Sequence, residues 1–293
     1  MKTGVLLMAH GTPSSLDEMP EYLRLVRGGR PASPELVAEM RHNYAAIGRS
    51  PLTEITLAQA AALRVRLGGD VPVGVGMRNW RPFIKDALGE LEASGVRRVI
   101  GIPMAPQFST LSVQKYIDAA QSALSPGPPG LQFDPVRSFH AHPLLIDAFA
   151  ERLRAAAPAD DELIVFTAHS LPARVIEAGD GYAEEVAATA RGVRSRTGIT
   201  HYEIAYQSAG RTPEPWIGPD LAAFVRERTA AGTRRFLVAP IGFVCDHTEI
   251  LFDIDVQAVA VAREQGATLR RTESLNTSPI FIAMLEDLVR RML

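Results

Sequence analysis

Short, nearly continuous apolar runs alternate with longer amphipathic segments along the whole chain. Runs of this kind lack the in-and-out alternation of a half-buried strand and are typical of parallel strands covered on both faces. The segments between them have helical length and periodicity, so right-handed strand–helix–strand crossovers are expected. The pattern therefore predicts an α/β fold with strands over 4–11, 71–78, 98–106, 163–170, 201–208 and 235–244.

The order of these segments repeats. The first predicted strand ends in "AHGTP" (9–13) and the fourth in "AHSLP" (168–172), while the third ends in "IPMAP" and the sixth in "VAPIGF". We interpret the chain as two similar Rossmann-like halves, 1–140 and 141–293, each with a central parallel sheet flanked by helices. The junction is expected near "SPGPPG" (125–130), and the last helix is free to pack back across the boundary. A ligand cleft is expected between the halves, where the carboxyl ends of strands lie.

Three helix starts share one signature, a proline in the first helical turn. They are "RPFIKDALGEL" after Trp80, "HPLLIDAFAERL" from His142 and "SPIFIAMLEDL" from Ser278. Proline is tolerated there because its missing N–H has no partner within the helix anyway. The three sequences therefore predict helices that begin around these prolines.

Composition narrows the functional classes. The chain has 293 residues, of which 46% are hydrophobic, and a formal net charge of −2, so nothing points to nucleic acid or an anionic membrane as a partner. The first residues match a strand better than a signal peptide, and no apolar run approaches the roughly 20 residues of a membrane span. The single cysteine, Cys245, excludes an internal disulfide and a CxxC-type site. We expect a cytoplasmic enzyme or binding protein, and the missing GxxxxGK loop gives no support for ATP-driven chemistry.

Two histidines occupy matching positions at predicted strand ends. His169 ends the fourth strand and His10 ends the first. A histidine at a strand end that opens onto a cleft is placed to act as a ligand or a base, and the alternative is a structural histidine bonded to a neighbouring loop. Two histidines at matching strand ends favour a role as ligand or base more strongly than either residue alone.

A third candidate feature is the acidic segment "DHTEILFDID" (246–255). Asp246, Glu249 and Asp253 are spaced i, i+3, i+7, so on a helix they share one face and repel one another. Such a column suits a hard cation. Acidic residues at a helix N-terminus are also favoured by the helix dipole, which explains the first two carboxylates but not Asp253. Both interpretations remain open on the residues alone.

Six stretches together resemble the ferrochelatase family. They are "MAHGTP", "GRSPLTEIT", "APQFSTLSVQKY", "TAHSLP", "YQSAGRTPEPWIGP" and "PIGFVCDHTEILFDID", and they span nearly the whole chain in the family's order. The resemblance implies a chelatase-like protein of two α/β halves. It also implies a lyase that inserts Fe²⁺ into a porphyrin without ATP, with Fe²⁺ as a substrate, no required cofactor and no Fe–S cluster.

The resemblance also implies the metal-site residues. His169 and Glu249 fall on the family's metal-site histidine and its partner carboxylate, and both are expected to hold Fe²⁺ or accept pyrrole protons. Asp253 falls on a weaker outer relay, and Gln257 stands where a carboxylate is often found. Asp246 or His247 is expected to orient Glu249.

Within the family, the chain most resembles the soluble bacterial enzymes that act on coproporphyrin III. It stops at "LVRRML" without the extension expected of many protoporphyrin enzymes. His10 stands where some members have a tyrosine that ligates the product iron, and Asn43 stands where some have arginine. By motif position the substrate contacts are His10, Thr12, Arg27, Asn43, Tyr44, Ser50 and Tyr116.

The resemblance leaves three other functions to distinguish. One is a ferrochelatase for protoporphyrin IX, a second is a cobalt chelatase for sirohydrochlorin, which the "GFVCDHTE" motif disfavours, and a third is a non-catalytic tetrapyrrole or metal carrier. The expected partners are coproporphyrin III and Fe²⁺, with transient contacts to neighbouring haem-pathway enzymes. We expect a monomer that does not bind nucleic acid and has no membrane-spanning segment.

Overall fold

A computed structural model describes residues 1–124 and 130–293, and these residues form two compact units. Unit 1 comprises Met1–Ala105, Ser112–Ser138 and Asn276–Leu293. Unit 2 comprises Pro106–Leu111 and Phe139–Leu275. Most of the predicted junction, residues 125–129 of "SPGPPG", lies outside the described residues. The predicted boundary at residue 140 lies two residues from the change of unit at Ser138.

Unit 1 is built on a four-stranded parallel sheet with strand order β2-β1-β3-β4. The central strand β1 is buried from Gly4 to Ala9, as its continuous apolar sequence predicts. In the register, Leu7 lies between Val75 and Ile102 on the two neighbouring strands. The strands are β1 (Thr3–Ala9), β2 (Val73–Met77), β3 (Arg98–Pro103) and β4 (Gln132–Pro135).

Helices flank this sheet, and a 3₁₀ turn (Leu16–Glu18) precedes the first of them. The last helix in the chain belongs to this unit and contacts α3. The helices of unit 1 are α1 (Met19–Val26), α2 (Pro34–Ala46), α3 (Leu52–Arg66), α4 (Ile84–Ala93), α5 (Val113–Leu124) and α12 (Pro279–Arg290).

Unit 2 repeats the same topology, with strand order β6-β5-β7-β8 and every pair parallel. Its strands are β5 (Leu163–His169), β6 (Tyr202–Gln207), β7 (Arg235–Ala239) and β8 (Thr268–Arg271). Its helices are α6 (Pro143–Ala155), α7 (Ala173–Glu177), α8 (Tyr182–Thr197), α9 (Leu221–Ala230), α10 (Thr248–Leu251) and α11 (Val259–Glu264). A six-residue π-helical segment, Asp253–Ala258, joins the last two.

The predicted fold class is confirmed: each unit has a parallel sheet flanked by helices. All six predicted strands are present. Strands β4 and β8, which are edge strands of four residues each, were not predicted. Their sequences, "QFDP" and "TLRR", are polar because one edge faces no further strand, so they carry no apolar run to recognise.

The shared proline signature holds for two helices and fails for the third. Proline occupies the first turn of α6 and α12. The prediction was wrong for α4, which begins at Ile84 and leaves Pro82 outside the helix. Phe83 is extended at φ −71° and ψ 152° and bridges to Met77, so the backbone stays strand-like past the proline.

Across residues 1–124 and 130–293, no helix combines the length and the apolar character needed to cross a membrane.

Candidate active site

His169 is the last residue of β5 and presents one ring nitrogen for chemistry. Its Nδ1 is bonded to the backbone carbonyl of Ser170, so in the neutral ring Nδ1 carries the proton and Nε2 keeps its lone pair. The Tyr182 hydroxyl donates to the His169 carbonyl at 3.0 Å and fixes the backbone beneath the ring. Burial raises the pKa of Tyr182, which therefore stays a neutral donor. The side chain of His169 is one-third exposed (34%), which leaves Nε2 accessible.

The segment that follows β7 places two carboxylates beside a buried stripe. Ile250, Ile254 and Ala258 recur every four residues and pack into the core around β5 and β7. Glu249 and Asp253 precede the first two of these residues by one position, so they share the adjacent face of the segment. The π-helical stretch begins at Asp253, and the Phe252 carbonyl accepts from both Val256 and Gln257. Such π-turns are often found at functional sites.

The carboxylate of Glu249 lies between two imidazoles. Its Oε1 is 3.7 Å from His169 Nε2, and its Oε2 is 3.7 Å from His247 Nε2. His247 Nδ1 is bonded to the Cys245 carbonyl at 2.9 Å, so its Nε2 also faces Glu249 with the lone pair in the neutral ring. The buried Gln207 donates its side-chain amide to the Glu249 carbonyl and holds the backbone of α10.

The electrostatic environment shifts two groups of this cluster. Burial raises the pKa of Asp253 to about 6, an effect that the Ser208 hydroxyl bonded to it opposes and the charge of Glu249 reinforces. For His247, burial lowers the pKa, but Glu249, the Cys245 carbonyl and Asp253 outweigh it and the net pKa is raised. The site therefore holds a carboxylate, Asp253, that changes protonation close to neutral pH.

The prediction that Asp246 shares the face of Glu249 and Asp253 was wrong. Asp246 lies before α10 begins, and its Oδ1 accepts from the Ser274 hydroxyl at 2.7 Å and lies 3.1 Å from Arg271 Nη2. The helix starts only at Thr248, so the i, i+3 relation of a helix does not apply to this residue. His247, the other predicted orienting residue, is the one that faces Glu249.

The residues at this site suit the transient binding of a borderline divalent cation. Imidazole nitrogen together with carboxylate oxygen is a donor set that iron accepts. Burial raises the pKa of the Cys245 thiol to about 12, so this residue offers no thiolate at neutral pH. In the described parts of the chain, no three His, Cys, Asp or Glu side chains are grouped as a ready-made metal site.

A separate polar cluster surrounds His10 in unit 1, directly after β1. The Asn79 amide donates to His10 Nε2 at 2.9 Å, and His10 Nδ1 lies 3.2 Å from the Tyr22 hydroxyl. Tyr22 in turn packs edge-on against Trp80, with ring centroids 6.0 Å apart. Gly11 has φ +87°, and a Cβ there would lie 2.9 Å from the Trp80 backbone nitrogen, so only glycine allows this turn.

The other predicted substrate contacts lie at different depths in unit 1. Thr12 and Tyr44 are buried and bonded to each other, with hydroxyl oxygens 3.1 Å apart. Tyr116 is buried and lies under the Arg78 guanidinium, 5.5 Å from the ring centroid. Of the rest, Ser50 is buried, Asn43 is half-buried on α2 and Arg27 is exposed at the end of α1. Their roles as substrate contacts stay predictions.

Several residues of these clusters escaped the sequence analysis. Tyr22, Arg78 and Asn79 contact His10 or Tyr116 from other elements, and Ser208 binds Asp253 across 45 positions of sequence. The "MRN" after the second strand was a usable signal, because polar residues at a strand end are placed to reach a ligand. Trp216 packs over Gly210 and donates its indole N–H to the Thr212 hydroxyl at 3.1 Å.

Comparison with known proteins gives one consistent result. The family model for ferrochelatase matches residues 2–293. A ferrochelatase of Deinococcus radiodurans is 42% identical over 300 residues, which cover 98% of this chain and 95% of that protein. A coproporphyrin III ferrochelatase of a Geobacillus strain is 36% identical over 302 residues, which cover 98% of this chain and 97% of that protein.

Among solved structures, SirB from Bacillus subtilis, crystallised with Fe³⁺, is similar in fold. The TM-score is 0.63 at 11% identity, and the match covers 99% of this chain and 95% of SirB. At this identity the likeness concerns the fold alone.

Proposed function

The chain belongs to the ferrochelatase family, whose members are lyases that insert metal into porphyrin, and from this premise we propose that its substrates are Fe²⁺ and coproporphyrin III. The observation that carries the chemistry is the pairing of His169 Nε2 with Glu249 Oε1 at 3.7 Å. An imidazole lone pair and a carboxylate at this separation can share one cation or one proton.

Metal insertion needs two kinds of group on the protein. Fe²⁺ must be held while it loses water, and the two pyrrole N–H protons of the porphyrin must leave as the metal–nitrogen bonds form. We assign both tasks to His169 and Glu249 together, because each side chain, when deprotonated, can donate to a metal ion or accept a proton. His247 orients Glu249 from its other oxygen.

Asp253 is the proposed outer relay. It lies one turn beyond Glu249 on the same face, and its raised pKa of about 6 lets it exchange a proton near neutral pH. Gln257 stands exposed one further turn along and offers an amide in place of a carboxylate. The relay therefore ends at Asp253 in this chain.

The choice of coproporphyrin III is supported by relatives that carry that name at 36% identity and by the resemblance of the chain to the soluble enzymes. Coproporphyrin III has four propionates, whereas protoporphyrin IX has two. Arg27 and Arg30 lie exposed after α1, where guanidinium groups suit carboxylates.

An anaerobic optical assay tests the proposal directly. Fe²⁺ is mixed with enzyme and coproporphyrin III, protoporphyrin IX or sirohydrochlorin, and loss of the free-porphyrin spectrum is followed. We expect the highest kcat/KM with coproporphyrin III. A preference for protoporphyrin IX would reject the substrate assignment. Stoichiometric binding without turnover would reject catalysis and favour a carrier.

Protoporphyrin IX is the second candidate for one reason. The Deinococcus radiodurans relative, at 42% identity, is named ferrochelatase without a stated porphyrin. A monomeric state, a cytoplasmic location, the lack of a cofactor and transient contacts with haem-pathway enzymes stay predictions.

A further inference from the structure

A single guanidinium ties together both flanks of the acidic segment in unit 2. Arg271, the last residue of β8, binds Asp255 through Nε at 2.7 Å and Nη2 at 3.0 Å. The same Nη2 lies 3.1 Å from Asp246 Oδ1. The Arg271 side chain is 14% exposed, so these contacts are largely shielded from water.

Asp246 and Asp255 lie on either side of all the acidic and imidazole groups that this segment contributes to the site. His247, Glu249 and Asp253 all fall between Asp246 and Asp255. Further bonds fix the guanidinium itself, since Nη1 donates to the Thr272 carbonyl at 3.0 Å. The Ser274 hydroxyl also donates to Asp246 at 2.7 Å.

The bracketed segment has little regular structure of its own. It consists of an extended His247, the four-residue α10 and the start of the π-helical stretch. A helix of one turn is unstable by itself, and π-turns are less favourable than α-turns. Ile250 and Ile254 anchor one face in the core and so fix which face is exposed, whereas the two ends of the segment are held by contacts to Arg271.

We propose that Arg271 is a positioning residue for metal insertion, which clamps Asp246 and Asp255 and thereby holds Glu249, with His247 beside it, at the distance from His169 that Fe²⁺ requires. We call this arrangement the Arg271 clamp. It deepens the proposed function and rests on it. Only arginine provides two bonds to Asp255 and a third to Asp246 from one rigid plane, whereas lysine offers one compact charge.

The first experiment compares Arg271→Met and Arg271→Lys with wild type at saturating coproporphyrin III. Arg270→Met is the matched control, because Arg270 is the neighbouring arginine on β8 and pairs with Glu162 instead. Loss of an orienting partner of a metal ligand typically costs 10–100-fold, so we expect Arg271→Met to lower kcat/KM for Fe²⁺ by about 10-fold or more. The KM for coproporphyrin should stay unchanged in both arginine-to-methionine variants, and Arg271→Lys should fall between wild type and Arg271→Met.

A second variant separates positioning from stability. Arg271→Met removes the counter-charge of two carboxylates, so the triple variant Arg271→Met, Asp246→Asn, Asp255→Asn removes those charges and should restore the urea midpoint. We expect its kcat/KM for Fe²⁺ to remain low, because the clamp is still missing. Recovery of insertion together with stability would overturn the proposal and leave Arg271 a structural residue.

Hydrogen exchange tests the clamp without relying on turnover. Peptides covering 247–257 should exchange faster in Arg271→Met and in the triple variant, and at the wild-type rate in Arg270→Met. Unchanged exchange in Arg271→Met would overturn the clamp. Wild-type protein that fails to insert iron would reject the proposed function separately, and the exchange result would still decide whether the clamp exists.

Discussion

A bond to the backbone decides which nitrogen of His169 can react. Nδ1 is bonded to the Ser170 carbonyl, so Nε2 is the nitrogen that faces Glu249. His247 uses the same device with the Cys245 carbonyl. Because the backbone occupies Nδ1 of each ring, Nε2 of each ring faces the carboxylate between them and can share a proton or a cation with it.

Replacing His169 with alanine tests the role of that nitrogen. The variant lacks the lone pair that holds Fe²⁺ or takes a proton, and a general base is commonly worth 10²–10⁴-fold, so we expect kcat for iron insertion to fall by at least about 100-fold. Coproporphyrin binding, measured by fluorescence quenching, should be unchanged. His201→Ala, an exposed histidine before β6, is the control. Near-normal turnover of His169→Ala would remove this residue from the mechanism.

The raised pKa of Asp253 predicts how the stability of the protein changes with pH. Its pKa is raised from 3.8 to about 6, so the folded protein binds a proton more tightly than the unfolded chain. The associated stability is full below pH 4 and is lost as the pH rises through 6. Asp253→Asn should therefore be more stable than wild type at every pH from 5 to 8, with the larger difference at pH 8. We expect this difference in the free energy of unfolding to be about 1–2 kcal/mol after allowance for partial exposure.

Urea unfolding of the metal-free protein at pH 5 and pH 8 measures this gain. Asp70→Asn, at an exposed position of unit 1, is the control and should show no pH-dependent difference from wild type. A gain in Asp253→Asn that is the same at both pH values would contradict the raised pKa. The same variant should insert iron more slowly, since the relay carboxylate is gone.

At the scale of elements, the residues that anchor the segment after β7 in the core each follow, by one position, a residue that carries its chemistry. Ile250 and Ile254 enter the core, and Glu249 and Asp253 immediately precede them. The burial of the isoleucines fixes which face is exposed, because each apolar side chain placed in the core contributes about 1.5–3 kcal/mol. The change from α10 to the π-helical stretch then sets how far apart the two carboxylates lie.

The pairing of β2 with α4 makes a prediction about two glycines. A Cβ on Gly76 in β2 would lie 2.7 Å from the Ile84 backbone Cα, so Gly76→Ala forces the helix away from the sheet and should cost about 1–3 kcal/mol. Gly89 lies exposed within α4 with open space around it, so Gly89→Ala should stabilise by about 0.5–1 kcal/mol. Chemical denaturation of both variants checks the opposite signs, and destabilisation by both would contradict the argument.

At the scale of the whole molecule, the two units use one topology twice. In each, the first strand in sequence is a central strand, and a histidine follows or ends it: His10 after β1 and His169 in β5. The carboxyl end of a central strand is where parallel sheets place ligands. The chain order differs from the spatial grouping in two respects. Pro106–Leu111 belongs to unit 2, and α12 belongs to unit 1 although it is the last element.

That placement predicts which unit depends on the C-terminal helix. Leu285 is fully buried in α12, and Glu286 of the same helix pairs with Arg66 of α3 at 2.6 Å. Leu285→Ala should destabilise unit 1 by about 2–4 kcal/mol. The unfolding of unit 1 can be followed by Trp80 fluorescence in a Trp216→Phe background, since these are the two tryptophans of the chain.

Leu293→Ala, at an exposed position of the same terminal segment, is the control for this measurement and should leave the Trp80 transition in place. A Leu285→Ala variant with an unchanged Trp80 transition would contradict the assignment of α12 to unit 1.

The sequence by itself determined the α/β class and six of the eight strands in the described residues, because apolar runs are enough to recognise buried strands. His169, Glu249 and Asp253 were grouped through the resemblance of the chain's motifs to a family, whereas periodicity alone had placed Asp246 with the two carboxylates. Only the tertiary structure decided that Asp246 turns to Arg271, 25 positions away, and that Ser208 binds Asp253. It also decided the tautomer of His169 and the edge strands β4 and β8. The His169 tautomer depends on the path of the neighbouring Ser170 backbone, and the other features arise from contacts between residues distant in sequence, which no local periodicity encodes.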